Sequence, residues 1–235
     1  MAQDAPRSQP TRRERYRAQT IREIKEHALR RLAELGPDGL SLNAIARAMG
    51  ITGPALYRYY ASRDALIEAL TDDAYQDLVQ TVRTAVDGVP AGEAGNRLRV
   101  LMEAFRGWAL TQPHRYLLAF KTPLTGTVPP RAATRHANSV VAAILCAVVP
   151  HESDTPARFA PEGPGVSLEQ ERQEQWSTAG SCAGVDGPVP ARALLIWSRI
   201  HGLVDLEVTG QFSALGLDPS ALYCAEAAAL IGEPG

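Results

Sequence analysis

Apolar residues recur along this chain at steps of three and four, and that spacing predicts helices wherever it can be read. From Thr20 onward Ile21, Ile24, Ala28, Leu29, Leu32 and Leu35 fall on one stripe, closed by the stop signal Gly36-Pro37. Ser41 is placed to cap a second, short helix that turns Leu42, Ile45, Ala46 and Met49 inward and stops at Gly50. Thr52 can cap a third, with Pro54 in the first turn where a missing N–H costs least, and with Leu56 and Tyr60 as its buried face. Ser62 then caps a long helix to about Asp87, with Leu66, Ile67, Leu70, Leu78, Val82 and Val86 inward. At 1.5 Å per residue it reaches roughly 39 Å, more than a small helical head needs, so it is expected to leave the head and join a body.

The body reads as helical too. Leu98, Leu101, Met102, Phe105, Trp108 and Ala109 mark one helix, Pro113 starts another carrying Tyr116, Leu117 and Phe120, and Pro129-Pro130 introduces a third to about Val149. Residues 150–189 are rich in Pro, Gly, Ser and Glu, with a short polar helical patch in which Ser167 and Gln170 have capping-box spacing. A connection near 40 residues far exceeds the usual few, so a flexible connection or a lid is expected there. Pro190 opens a further helix to about Thr209, and Asp218-Pro219 starts the last. Strand alternation, fixed-period repeats and a Gly-rich phosphate loop are not found, so the predicted class is all-α.

Composition adds a polarity to this picture. With 45% hydrophobic and 21% charged residues in 235, the chain is that of an ordinary globular protein able to bury a core. A net charge of −2 argues against a polyanionic partner until it is divided. Residues 1–71 hold 12 Lys and Arg against 8 Asp and Glu, and the rest of the chain 12 against 18, so a basic head precedes an acidic body. Residues 1–18 are polar and Arg-rich, the composition of a flexible basic arm. Cys146, Cys182 and Cys224 show no metal or disulfide spacing, which suits a reducing compartment. The start lacks a signal-peptide stretch and the longest apolar run, Val140 to Val149, is about half a bilayer span, so a cytoplasmic protein without a membrane partner is expected. The 22 arginines against 2 lysines hint at a GC-rich bacterial genome.

Residues 41–60 carry the candidate chemistry. Two short helices separated by Gly50, Ile51 and Thr52, supported by an earlier helix, form a helix-turn-helix arrangement, which offers the N-terminal residues of its second helix to the major groove of duplex DNA. Those residues, Thr52, Gly53, Pro54 and Ala55, are small enough to approach base edges. Tyr57, Arg58 and Tyr59 lie one turn on and Arg63 starts the next helix, so phenol, guanidinium and helix N-terminus can reach phosphates. Blander readings remain open: Tyr57 and Tyr59 as surface aromatics, Arg58 as a solvated side chain, and Arg12, Arg13, Arg15 and Arg17 as an idle tail rather than a minor-groove arm.

The stretch "LSLNAIARAMGITGPALYRYYASRDALIEAL" resembles the DNA-binding head of the TetR family of bacterial regulators. The shared pattern is a capped short helix, a Gly-apolar-Ser/Thr turn, a Leu-Tyr-x-x-aromatic core and a Ser-Arg-x-x-Leu helix start, and it spans roughly residues 17–70. Tyr59 stands where His is frequent and Tyr60 where Phe is frequent, so Tyr60 carries a hydroxyl that needs a partner. The resemblance implies base-side contacts from Asn43, Thr52, Gly53 and Pro54, although an early-helix Asn also serves as a local cap. It implies phosphate-side contacts from Tyr57, Tyr59 and Arg63, to which the spacing adds Arg58. The expected organisation is a flexible basic arm (1–18), a three-helix DNA-binding head with the helix-turn-helix (19–66), and a larger α-helical ligand-binding and dimerisation domain (67–235).

"WSRIHG", from Trp197 to Gly202, with "PHRYLLAF" upstream, resembles the C-terminal ligand domain of one TetR branch named for a Trp-His-Gly signature. That likeness puts Trp197 and His201 near the body's core and makes Trp108, Tyr116 and Phe120 candidate pocket walls; an aromatic stripe also reads as plain core. In the same helix Ala191, Leu195, Ser198, Gly202 and Leu206 form a face of mostly small residues, beside a second face of Leu194, Trp197, His201, Val204 and Val208. A mid-helix Gly costs about 1 kcal/mol against Ala, so Gly202 suggests close approach of another helix. With the Ala-rich last helix, the expected homodimer interface is Ser198, Gly202, Leu206, Leu222, Ala225 and Ala229; packing within the chain is the alternative.

His201 and Asp205 share a face, but two residues make no metal site, and no catalytic set is legible, so no enzyme, cofactor or metal is expected. The expected function is a homodimeric repressor on a palindromic double-stranded operator, released by a small-molecule effector of hydrophobic or aromatic character. An activator or ligand-independent regulator of the same fold is the alternative, and a helical binding or interaction module without DNA a further one.

Overall fold

A computed structural model describes residues 11–36, 39–90, 93–121 and 191–231, with the side chains of 191–194 outside the description. Among the described residues the regular structure is helical: α1 (Arg12–Leu35), α2 (Leu42–Ala48), α3 (Gly53–Tyr57), α4 (Arg63–Asp87), α5 (Ala94–Thr111), α6 (Pro113–Phe120), α7 (Ala191–Val208), α8 (Gln211–Ala214) and α9 (Pro219–Ile231). The helix expected after Pro129-Pro130, the polar patch at Ser167 and the whole 150–189 connection lie outside the described residues. The chain divides into two compact units, Met1–Leu70 and Thr71–Gly235.

In the first unit α1 begins at Arg12, eight residues before the apolar stripe becomes readable, which corrects the expectation of a flexible arm for the stretch from Thr11 to Ala18. The cause is local. Thr11 Oγ1 accepts from the Glu14 N–H at 3.3 Å, and the Glu14 carboxylate accepts from the Thr11 N–H at 2.6 Å, a capping box followed by strong helix formers. Ile24, Ala28 and Leu32 are buried as the stripe predicts, whereas Leu35, at 55% exposed, leaves the core on the last turn. Leu42, Ile45 and Ala46 of α2 and Leu56 of α3 are buried, and Met49 is half-buried. Between the two helices Gly50 takes φ +68°, a left-handed conformation that explains why glycine ends α2. Tyr60 is buried, at 9% exposed.

The α4 stripe of Leu66, Ile67, Leu70, Leu78, Val82 and Val86 is buried throughout, joined by Ala74 and Tyr75. In the second unit Ala74, Leu78, Val82 and Val86 meet Leu98, Leu101, Met102, Phe105, Trp108 and Ala109 of α5, Tyr116 of α6, and Ile196, Ile200 and Val204 of α7. The centre of α7's inward face is therefore Ile196–Ile200–Val204, with Trp197 and His201 half-buried at its edge. Polar ties lock α5 to α7 and α9. The Arg106 guanidinium donates twice to Glu207, at 2.7 Å each, and to Ser220 Oγ at 3.0 Å, and the Tyr223 hydroxyl donates to the Met102 carbonyl at 2.7 Å.

Candidate nucleic-acid interface and effector site

The start of α3 is built for exposure. Thr52 is its N-cap, with Oγ1 accepting from the Ala55 N–H at 3.4 Å, and Leu56, fully buried, anchors the turn behind it. Thr52 and Pro54 are left exposed and Gly53 half-buried. A Cβ on Gly53 would lie 3.1 Å from Asn43 Oδ1, so exposed Asn43 of α2 and the first residue of α3 form one continuous surface. The structure thus brings the four expected base-side residues together.

The four expected phosphate-side residues differ more. Tyr57 is 46% exposed and Arg58, the C-cap of α3, is exposed. Tyr59 is half-buried, with the Arg17 guanidinium 5.3 Å over its ring. Arg63 is also half-buried: its Nε–H donates to the Leu40 carbonyl at 3.2 Å and its guanidinium lies 3.6 Å from Asp64, which ties the start of α4 to the segment before α2. Ser62 Oγ caps the same helix by accepting from the Ala65 N–H at 3.1 Å.

Within the second unit Phe105, Tyr116, Phe120, Trp197 and His201 form an aromatic cluster. Ring centroids are 5.0 Å apart for Phe105–Trp197, 5.1 Å for Tyr116–Phe120, 5.3 Å for Trp197–His201 and 4.7 Å for the edge-on Phe120–His201 pair. One side of the cluster is polar. The Tyr116 hydroxyl donates to Asp205 Oδ1 at 3.3 Å and lies 3.5 Å from His201 Nε2, while Lys121 Nζ is 2.8 Å from Asp205 Oδ2. Burial lowers the His201 pKa; Asp205 opposes this and Lys121 reinforces it, so the neutral imidazole is favoured. Burial, reinforced by Asp205, raises that of Tyr116.

Trp108 serves differently from the other four candidates. Its indole N–H donates to Asp77 Oδ2 at 3.0 Å, an oxygen that also accepts from Gln112 at 3.0 Å and Arg115 at 2.9 Å. Burial raises the Asp77 pKa, but the three donors and the Arg115 charge outweigh it and hold the carboxyl below its ordinary value. Nearby the Tyr75 hydroxyl donates to the Ala119 carbonyl at 2.9 Å, and burial pushes its pKa up to about 12.

Phe105, Lys121, Asp77 and Asp205 were not among the sequence's candidate site residues. Only Asp205 was signalled, by its four-residue spacing from His201; Lys121 and Asp77 meet their partners through tertiary packing. No group of three or more His, Cys, Asp or Glu able to hold a metal occurs among the described residues. Nor does any described helix have the length and apolarity to cross a membrane.

Of the expected dimer residues, Ser198, Gly202, Leu206, Leu222 and Ala225 are exposed and Ala229 half-buried. Leu206 is 42% and Leu222 45% exposed, and a Cβ on Gly202 would meet nothing within 4 Å, so Gly202 has no close neighbour within the described chain.

Residues 24–70 match the family model described as "Bacterial regulatory proteins, tetR family", and residues 98–230 match "Tetracyclin repressor-like, C-terminal domain". The HTH-type transcriptional regulator Rv1816 of Mycobacterium tuberculosis is 35% identical over 221 residues, covering 92% of each chain. A second M. tuberculosis HTH-type regulator, Rv0681, is 30% identical over 198 residues, 83% of this chain and 73% of that one. Among solved structures, SCO4313, described as a candidate regulatory protein, is 37% identical with a TM-score of 0.70, covering 94% of this chain and all of that one. The regulator FadR of Bacillus subtilis, solved with stearoyl-CoA, shares the fold at 13% identity with a TM-score of 0.59, covering 91% of this chain and 99% of that one.

Proposed function

The chain belongs to the TetR family of bacterial DNA-binding transcriptional regulators, and from that premise we propose that it is a homodimeric repressor whose grip on a palindromic operator is released by a small, largely apolar effector. The single observation that carries the DNA half of this reading is the surface at the start of α3. Thr52 and Pro54 are exposed, Gly53 lies against Asn43, and the tip is held out by the buried Leu56 behind it. Small side chains at a helix N-terminus let backbone and Asn43 approach base edges. Tyr57, Arg58, Tyr59 and Arg63 then supply phosphate contacts, which set register and affinity but not sequence.

The aromatic cluster supports the effector half. An apolar or aromatic molecule with one polar group would pack among Phe105, Tyr116, Phe120 and Trp197 and exchange hydrogen bonds with Tyr116, His201 or Lys121. Trp108, its indole N–H held by Asp77, lies in the same buried core as this cluster. The Trp197-to-Gly202 string supports a place in the Trp-His-Gly branch, with Trp197 and His201 as the signature side chains. The exposed Leu206, Leu222 and Ala225 around Gly202 support α7 and α9 as the dimer faces. Because α4 runs without a break from Arg63 to Asp87, a shift at its later turns changes the direction of its first. An effector acts only through its preference for the non-binding arrangement, each 1.4 kcal/mol of preference being about tenfold.

The test is selection of genomic fragments by the purified full-length protein, followed by footprinting and a comparison of promoter output with and without the gene. A protected palindrome and higher output without the gene are expected. Retention of no fragment at low salt overturns the DNA reading, and lower output without the gene overturns repression.

A further inference from the structure

The first three turns of α1 precede the residues that match the family and are dense in exposed arginine. The inward stripe of α1 reads backward from Ile24 as Thr20, Arg17 and Arg13, at steps of four, three and four, so one helical face passes from buried apolar to cationic. Arg12, Arg13, Arg15 and Arg17 are all exposed, and among the described residues Arg13, Arg15 and Arg17 have no carboxylate partner. The Glu14 carboxylate is hydrogen-bonded to the N–H and hydroxyl of Thr11 rather than paired with one of these arginines, and its single charge offsets only one of the four. Arg12 lies 5.6 Å over the ring of Tyr16, itself exposed. Arg17 stacks on Tyr59, two residues from exposed Tyr57, so the cationic face is continuous with the end of α3.

We propose that this N-terminal extension of α1 is a second backbone-binding surface for the operator duplex, on which Arg13 and Arg17 contact phosphates beside those reached by α3. The inference rests on the DNA-contact reading of α3 and adds affinity rather than sequence preference. A rigid helix is the reason for phosphates rather than a groove floor: an arm that threads the minor groove must be extended, and Thr11 and Glu14 hold this one helical. Helical pre-ordering also removes the cost that a flexible arginine arm pays on binding.

The test compares operator binding by the full-length dimer across a salt series for wild type, Arg13→Gln, Arg13→Gln/Arg17→Gln, the corresponding double lysine variant, and Arg83→Gln as an exposed control elsewhere. Each phosphate contact contributes about 0.9 to the slope of log K against log salt, so the double glutamine variant, losing two contacts per protomer, is expected to be shallower by roughly 3 to 4. Arg13→Gln, which touches no ring, gives about half that change. The lysine variant keeps the slope and Arg83→Gln leaves it unchanged. The ratio of operator to random-duplex affinity stays constant, and ethylation interference loses specific phosphates. An unchanged slope in the double glutamine variant overturns the inference while leaving the reading of α3 intact. A lysine variant as shallow as the glutamine one also overturns it, since charge would then not be the cause. If wild type binds no duplex, both readings fall.

Discussion

In the first unit the residues with candidate chemistry point outward, with Thr52, Pro54, Tyr57 and Arg58 exposed around a fully buried Leu56. In the second they lie inside, where Tyr116 is fully buried and Trp197 and His201 half-buried, in ring contact with Phe105. The difference is physical. A DNA surface must stay solvated until a partner replaces the water, so its residues are polar or small and stand apart from the apolar period. An effector site for an apolar molecule needs the same side chains as a core, so its residues sit within that period. Polar groups beside those rings set the cluster apart from plain core, the part-buried Asp205 accepting from Tyr116 and pairing with exposed Lys121.

Substitutions that should keep the two units separate sharpen this contrast. Gly53→Glu is expected to reduce operator binding by at least about 100-fold, on the order of 3 kcal/mol, since its Cβ crowds Asn43 and its carboxylate faces phosphates. Gel shift and size exclusion together check it, and loss of the dimer as well would mean that the units are not independent. Leu206→Asp with Leu222→Asp is expected to weaken dimerisation by about 2 kcal/mol or more by placing charge in an apolar contact. Analytical ultracentrifugation decides, and an unchanged dimer would move the interface off α7 and α9.

Smaller effects test the polar ties inside the body. Asp77→Asn removes the charge that collects Trp108, Gln112 and Arg115, and should cost about 0.5–1 kcal/mol in denaturant unfolding, the carboxylate being partly solvated. The folded pKa lies below the ordinary 3.8, so this stabilisation is full above that pH and fades as pH falls through the folded value. The wild-type advantage should therefore vanish in strong acid, and one that persists would assign it to packing. Tyr57→Phe should weaken binding by about 0.5–1 kcal/mol equally on operator and random duplex; a change in sequence preference would make Tyr57 a base reader. His201→Gln should do least at pH 7. Burial depresses the imidazole pKa, so wild-type stability is present above the ordinary 6.5 and declines as pH falls through the folded value. Melting temperature between pH 7.5 and 5.5 should fall more in wild type than in the variant.

Local signals were enough for most elements of the first unit. Ser41 and Thr52 cap α2 and α3 as their side chains suggest, and Gly50 breaks between them because it takes positive φ. The start of α1 was equally local but was hidden by composition: arginine density suggested a flexible arm, while the Thr11-x-x-Glu14 box specified a helix. In the second unit the Ile196–Ile200–Val204 face was not singled out, because α7 is apolar on more than one side and periodicity alone cannot rank its faces. Lys121 meeting Asp205, and Asp77 collecting three donors from α5 and α6, join residues 84 and up to 38 positions apart, beyond any local pattern.

By itself the amino-acid order determined the helical class, the caps and breaks of the first unit and the helix-turn-helix spacing, because each arises from residues within a turn or two of one another, and the charge division between head and body, because that is a count along the chain. Only the tertiary structure decided which apolar faces are covered, that Arg17 stacks on Tyr59, that Arg63 is spent partly on the Leu40 carbonyl, and that a polar strip lines the aromatic cluster. Those outcomes depend on which distant helices come to share an interior, and burial and pairing are properties of that shared space rather than of any one segment.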